Sequence, residues 1–320
     1  MEEPHMAKKR KSRLNSKTNF WGKMFIIPFF APWVVFGIFP LFFSLYISFM
    51  KYDAIHPMEF IGLDNYKYIL IDEQYHVFWQ SIRNVAFYTL INVPLSMVIG
   101  LFMGLALYNK GTMLKRPMQV MAYLPSMTVS VAVGIIFALL FDYRMGMVIH
   151  LLMNLGLIEE QINWLGQKAT GQAVLIIMSQ WQGVGITAIL VLGGLVGIDE
   201  SIIEASVVDG ASYMKRVIYI IIPMLKNVVI YLIITGIISG FQMMEQPMML
   251  FNSWGNSSAI KWGADNYSIT PVWYVYNYAF NSRYLGRGSA IAYSLAIITA
   301  AFSFLNFKVL KRSVKGGEEE

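Results

Sequence analysis

Six stretches of this chain carry no charged residue and are each long enough to cross a lipid bilayer: residues 24–50, 84–109, 117–141, 169–198, 227–244 and 288–307. A spanning helix needs roughly 17–25 predominantly apolar residues to cover about 30 Å of hydrocarbon. Inside that hydrocarbon every backbone polar group must be satisfied within the segment itself, which selects helices. Six such windows, in a chain that is 56% hydrophobic and only 14% charged, exclude an ordinary water-soluble domain. The fold class expected is an all-α integral membrane protein, a bundle of six transmembrane helices. The first window follows the basic residues Lys8, Lys9, Arg10, Lys11, Arg13 and Lys17 and so has the flank of a secretory signal. It runs too long for one, contains Pro28, Pro32 and Pro40, and has no small-x-small cleavage site before Lys51, so it reads as a retained first span.

Lys and Arg are held back on the cytoplasmic side of a membrane, which orients the spans. With the N-terminus inside, segments 1–23, 109–116, 199–226 and 308–320 hold 17 of the 25 basic residues. The outer loops collect the acids Asp53, Glu59, Asp64, Asp72, Glu73, Asp142, Glu159 and Glu160. Both termini then lie in the cytoplasm, as a basic arm over 1–23 and a tail over 311–320, with the membrane body spanning 24–310. The net charge of +6 reads as an orienting bias, and its arm suits anionic headgroups of a lipid bilayer. No ordered basic surface for nucleic acid is visible. Trp21, Trp33, Tyr46, Tyr52, Tyr108 and Tyr143 fall near span ends, as interfacial anchors do. Cysteine is absent, which excludes disulfides and thiolate metal sites.

The loop over 199–226 is more than a connector. Asp199 or Ser201 is placed to cap a short helix, and Glu204, three residues after Ser201, completes a capping-box pattern. Gly210 permits a sharp turn, and a second short apolar helix should run to a stop at Pro223. Two short helices with apolar residues to spare make a two-helix knob that fits a groove in another protein.

Glu204, Ala205, Gly210, Ile220 and Pro223 fall at the spacing E-A-A-x3-G-x9-I-x2-P, which resembles the coupling loop of binding-protein-dependent ABC importer permeases. Asp209 and Ala211 extend it to a form similar to the carbohydrate branch. Ser206 departs from the second alanine, and Val217 from a usual phenylalanine. Further along, Phe60-Ile61-Gly62-Leu63-Asp64-Asn65-Tyr66 resembles the outer loop of the first, or F-type, permease of maltose/oligosaccharide-like importers. Trp181 to Gly185, Leu192 to Leu195 and Ile198 resemble the span leading into the coupling loop. Thr270, Tyr276, Ala279, Phe280 and Gly286 resemble the last outer loop. The stretch 250–257 replaces the family's Thr-Gly-Gly-Pro.

The resemblance implies an ATP-driven importer of a sugar or oligosaccharide across the bacterial inner membrane. Its partners would be a second homologous permease in a heterodimer, an ATPase dimer that carries ATP and Mg, and an extracytoplasmic solute-binding protein. Glu204 would anchor the ATPase and Gly210 would be the pivot of the loop. This chain would bind no cofactor itself.

Residues 239–247 place polar groups in the outer half of the fifth span. On a continuous helix Ser239, Gln242, Glu245 and Gln246 project within about a 140° arc at roughly 100° per residue. Lipid-facing carboxylates and amides are costly, so the stripe should face the bundle interior. It reads either as a hydroxyl-binding site in a cavity or as helix-to-helix hydrogen bonding, with Pro247 placed to open carbonyls toward a cavity. Gln180, Trp181 and Gln182 add polar and aromatic character to the fourth span, with Trp181 as a sugar platform or as packing. Asn84 and Asn92 read as bundle contacts, and Gly100 and Gly104 as close helix packing.

No Gly-x4-Gly-Lys-Ser/Thr occurs, so ATP hydrolysis is expected elsewhere. His5, His56, His76 and His150 lie at ends or loops, and no catalytic or metal-ligating cluster is readable. A secondary transporter would need ionisable residues buried mid-span, for which only Glu245 qualifies, and a membrane enzyme would need several converging ones. Glycerol phosphate remains the alternative cargo.

Overall fold

A computed structural model describes residues 16–71, 76–108, 115–252 and 266–315. The basic residues Lys8 to Arg13, the acids Asp72 and Glu73, the segment 253–265 and the end of the tail lie outside them. The described elements are α1 (Ser16–Trp33), a π turn (Val34–Ile38), α2 (Phe39–Ser48), a hairpin of β1 (Met50–Lys51) and β2 (Glu59–Phe60), and α3 (Asp64–Leu70). There follow α4 (His76–Tyr108), α5 (Lys115–Tyr123), α6 (Ser130–Leu140), α7 (Met147–Asn154), α8 (Lys168–Val196) and α9 (Glu200–Val208). The remainder are α10 (Tyr213–Arg216), α11 (Ile222–Met224), α12 (Lys226–Gln242), α13 (Glu245–Asn252), α14 (Pro271–Tyr276) and α15 (Leu285–Lys315). The chain is an all-α membrane bundle, with one two-stranded hairpin among the described residues.

Among the described residues four helices are long and apolar enough to cross a membrane, over Ile26–Ser48, His76–Tyr108, Lys168–Val196 and Leu285–Phe304. Two bent pairs bring the number to six: Pro117–Met127 with Ser130–Leu140 at 91°, and Tyr213–Met224 with Lys226–Gln242 at 68°. All six uncharged windows thus coincide with helix, although two of them are not straight rods. Helix α4 also starts eight residues before its window, because Arg83 stays exposed on the helix and does not end it.

The bundle is organised around α4 and α8. At Gly100 an added Cβ would lie 2.5 Å from Thr187 Cγ2, and at Gly104 one would lie 2.7 Å from Val191 Cγ1. The missing side chains let the two backbones touch, and Ser96 and Thr187 add a hydroxyl pair at 3.1 Å. One core gathers Phe78, Val85, Val133, Val174, Met178, Leu250, Trp273 and Ile291. A second, at the end that carries residues 199–226, joins Leu105, Val191, Leu195 and Ile198 to Val217, Ile221 and Leu225. By contrast, the first span is almost bare, with only Ile47 and Ser48 buried at its end.

At the opposite end the motif running from Phe60 to Tyr66 has a structural role. Asn65 is buried and donates to the carbonyls of Ser48 and Met50, both at 2.9 Å, while Tyr66 and Ser48 share a hydroxyl contact of 2.7 Å. The Gly286 N–H meets the Tyr52 carbonyl at 3.2 Å, and the Arg287 guanidinium sits 3.8 Å over the Tyr68 ring. The first and last spans are tied together there.

Candidate functional site

The hairpin over 199–226 grows directly from α8. After Val196 the buried Ile198 enters the second core, and Asp199 caps α9. Its Oδ1 accepts from the Ser201 N–H at 3.0 Å and from the Ser201 hydroxyl at 2.8 Å. These bonds hold the Asp199 carboxyl below the usual carboxylate range. Of the two candidate caps, the structure selects Asp199. The capping box between Ser201 and Glu204 does not form, because Ser201 already lies inside the helix with its hydroxyl engaged by Asp199.

Helix α9 closes on Gly210, whose φ of +76° lies in the left-handed region that only glycine enters freely. The Ala211 N–H returns to the Ser206 carbonyl at 3.0 Å and the Gly210 N–H to the Val207 carbonyl at 3.1 Å. This is the double reverse bond of a Schellman ending, which satisfies two carbonyls a helix otherwise leaves open. Glu204, Ala205 and Asp209 are exposed, while Ser206 is buried and donates to the Ile203 carbonyl at 2.6 Å. Ser212 opens the next helix by accepting from the Lys215 N–H, a cap that sequence reading missed.

The second arm does not stop at Pro223. It widens into a π turn over Val217–Ile221, passes through Pro223 and ends at Leu225. Proline has no N–H to give a preceding carbonyl, and the wide turn places it at the start of a new helical turn, where none is needed. Val217 and Ile221 are buried, and Ile220 lines a 410 Å³ recess with Tyr108, Glu204 and Arg216.

A second site lies mid-bundle, where helices break. Two adjoining clefts of about 400 and 340 Å³ share Ser130, Ser239, Met243 and Gln246. Ser239, Gln242, Glu245, Gln246 and Gln182 all line them, joined by Ser126, Ser179, Asn92 and Tyr88. The latter four were not marked as cleft residues in the sequence, although the polar run after Pro125 was a usable signal. The stripe is not carried by one continuous helix. Helix α12 ends at Gln242, Met243 turns extended, and α13 restarts at Glu245. The restart puts Pro247 in a first turn. The Met243 carbonyl, which faces no N–H at Pro247, accepts instead from the Thr270 hydroxyl at 2.7 Å.

Gln182 is the hub of the cleft. It is buried, its Nε2 donates to the Thr128 carbonyl at 2.8 Å, and its side-chain carbonyl accepts from the Gln246 amide. Gln180 is turned away and donates to Asn92 through both the backbone carbonyl at 2.9 Å and the side-chain carbonyl at 2.7 Å. Asn84 donates to the carbonyls of Asn266 and Ile269. Trp181 lines neither cleft. It lies tilted on Phe137, with ring centroids 5.9 Å apart, and is 46% exposed, because one residue along a helix rotates the side chain by about 100° from Gln182. In this structure it packs on Phe137 and does not line the two clefts.

Residues 96–312 match the model of the family described as binding-protein-dependent transport system inner membrane component. This chain belongs to that family. Its relatives include the arabinooligosaccharides transport system permease protein AraP of Bacillus subtilis, 28% identical over 92% of this chain and 89% of that one. The probable ABC transporter permease protein YesP of the same organism is 33% identical over 93% of each chain. The lactose transport system permease protein LacF of Rhizobium radiobacter is 28% identical over 94% and 98%. The fold is that of a solved bacterial alginate ABC transporter in complex with an alginate pentasaccharide-bound periplasmic protein, with a TM-score of 0.77 at 18% identity over 95% of this chain and 99% of that one. As an inner membrane component, the chain is a multi-pass transport permease subunit.

Proposed function

We propose that this permease forms one half of a sugar or oligosaccharide import pathway, powered by a separate ATPase that engages the hairpin around Glu204 and Gly210. The cargo class is supported by the names of its relatives, which specify arabinooligosaccharides and lactose, and by a cleft of hydroxyls and amides. The observation that carries the coupling is mechanical. The exposed Glu204 stands on a short helix locked by Asp199 and Gly210, and the hairpin is packed through Ile203 of that helix and through Val217, Ile221 and Leu225 of its second arm onto the same α8 that holds Gln182. A push on the hairpin therefore reaches the cleft through packed side chains.

In this reading residues 24–310 form the permease domain, 1–23 the arm and 311–320 the tail, with both termini and the hairpin at 199–226 in the cytoplasm. Ala205, Ser206, Asp209, Ala211, Ile220 and Pro223 shape the coupling surface around Glu204. A second homologous permease closes the open side of the cleft. Two ATPase copies supply the ATP and Mg chemistry, and an extracytoplasmic solute-binding protein delivers the sugar. Cysteines placed at Val208 and Tyr213, beside the hairpin, should cross-link to the ATPase in native membranes. Ligand-loaded binding protein should then stimulate ATP hydrolysis by the reconstituted complex. Absence of any ATPase from the cross-linked products would overturn the reading.

A further inference from the structure

We propose that Glu245 is a charge filter, which makes this half of the cleft selective for uncharged saccharides over carboxylated or phosphorylated ones. The inference rests on the sugar-import reading above and adds to it the charge of the cargo. Around the two clefts the polar groups are hydroxyls, such as Ser130 and Ser239, and amides, such as Gln182, Gln242 and Gln246. Hydroxyls and amides both donate and accept, and they match the hydroxyls of a neutral sugar whichever way those point. Among the described lining residues there is one carboxylate, Glu245, and no Lys, Arg or His. The carboxylate only accepts, so it binds a sugar hydroxyl as readily as an amide does but offers an anionic cargo nothing except repulsion. Its position makes this unavoidable. Glu245 is exposed toward the cleft at the first residue of α13, immediately after the break at Met243 and Met244. The neighbouring Gln246 is held by Gln182, which fixes the first turn of α13.

Like charges brought together across a wet cleft cost about a tenfold change in rate when separated by several ångströms. The test uses the full complex in proteoliposomes, with both permeases, the ATPase pair and the binding protein. The probes are arabinotriose and lactose, each paired with its aldonate, in which the reducing end is oxidised to a carboxylate, at matched occupancy of the binding protein. The readout is the ratio of neutral to aldonate uptake rather than either rate alone. In the natural chain this ratio should be about tenfold. Glu245→Gln should bring it close to one, whereas Glu245→Asp, which retains the charge, should preserve it. Equal uptake of both members of a pair by the natural chain, or an unchanged ratio in Glu245→Gln, overturns the filter and leaves sugar import standing. Should the complex move neither neutral sugar while its ATPase responds to some other solute, the import reading fails and the filter falls with it.

Discussion

The side-chain amide of Gln246 donates to the side-chain carbonyl of Gln182, and the Gln182 amide donates in turn to the Thr128 carbonyl at 2.8 Å. One buried glutamine on α8 thereby links the two points where neighbouring spans are broken, at Thr128 and at Met243. Replacing it with an apolar side chain leaves the Thr128 carbonyl and the Gln246 amide without their partner. A buried polar group that loses its bond costs about 1–3 kcal/mol. Gln182→Leu should accordingly lower the unfolding temperature in detergent by several degrees and slow uptake in proteoliposomes. Unchanged values of both would mean that the bridge holds nothing in place.

At the other end, Gly210→Val forces a β-branched side chain into the left-handed region, at about 1–3 kcal/mol of strain. The second arm of the hairpin should be redirected, while α8 and the remaining spans keep their packing. Membrane insertion is then expected to be normal and ATP-driven uptake largely lost. Glu204→Lys tests the charge of the same surface without bending it. A pull-down of the tagged variant should recover markedly less ATPase than the natural chain does, and normal recovery with normal uptake would count against coupling through the hairpin.

Close packing of α4 on α8 makes a third prediction. A side chain at Gly104 meets Val191 Cγ1 at 2.7 Å and the backbone carbonyl of Ala188 at 3.1 Å. Overpacking of this kind costs about 1–3 kcal/mol, and in this case it also separates the two helices that connect the hairpin to the cleft. Gly104→Leu should destabilise the purified subunit, as read by thermal unfolding, and should impair uptake by more than its yield in the membrane would explain.

The Asp199 cap sets a pH dependence. Its folded-state carboxyl lies below the ordinary value of 3.8, chiefly through the backbone bond from Ser201. A depressed carboxylate contributes stability above its unfolded value, and that contribution is lost as pH falls through the folded one. Between pH 5 and 8 the hairpin should therefore keep its cap, and ATPase association measured by pull-down should not vary on account of Asp199. Asp199→Ala should weaken association equally across that range, and a loss that appeared only at the acidic end would contradict the assignment.

The hydrophobic windows of the sequence were legible because charge is excluded from hydrocarbon whatever the helix does within it. Where helices bend was not legible for the same reason. Residues 117–141 carry no charge, yet the chain turns by 91° between Met127 and Ser130, since hydropathy records composition and is blind to continuity. The stripe from Ser239 to Gln246 does line one cleft, though not on the continuous helix that its spacing implies. A single helix was assumed, but a break at Met243 places the same four residues along one cleft, and the signal for it was Pro247, which needs a first turn. The sequence leaves Trp181 open between platform and packing, because composition does not show that its direction differs from that of Gln182. The hairpin over 199–226 was the best specified element, as Asp199 and Gly210 act through their own backbone neighbours and need no distant partner. Arg83, exposed in the second turn of α4, shows that a charge ends a hydrophobic window without ending a helix.

Helix α8 is continuous from Gln182 to Val196, with no proline in that interval, about 20 Å at 1.5 Å per residue. Such a strut transmits in both directions. If reshaping the hairpin changes the affinity of the cleft by some factor, thermodynamic reciprocity requires an occupant of the cleft to change the hairpin's preference between its states by the same factor. Under the proposed function, a load in the middle of the bilayer would thus have as much say over the motor as the motor over the load.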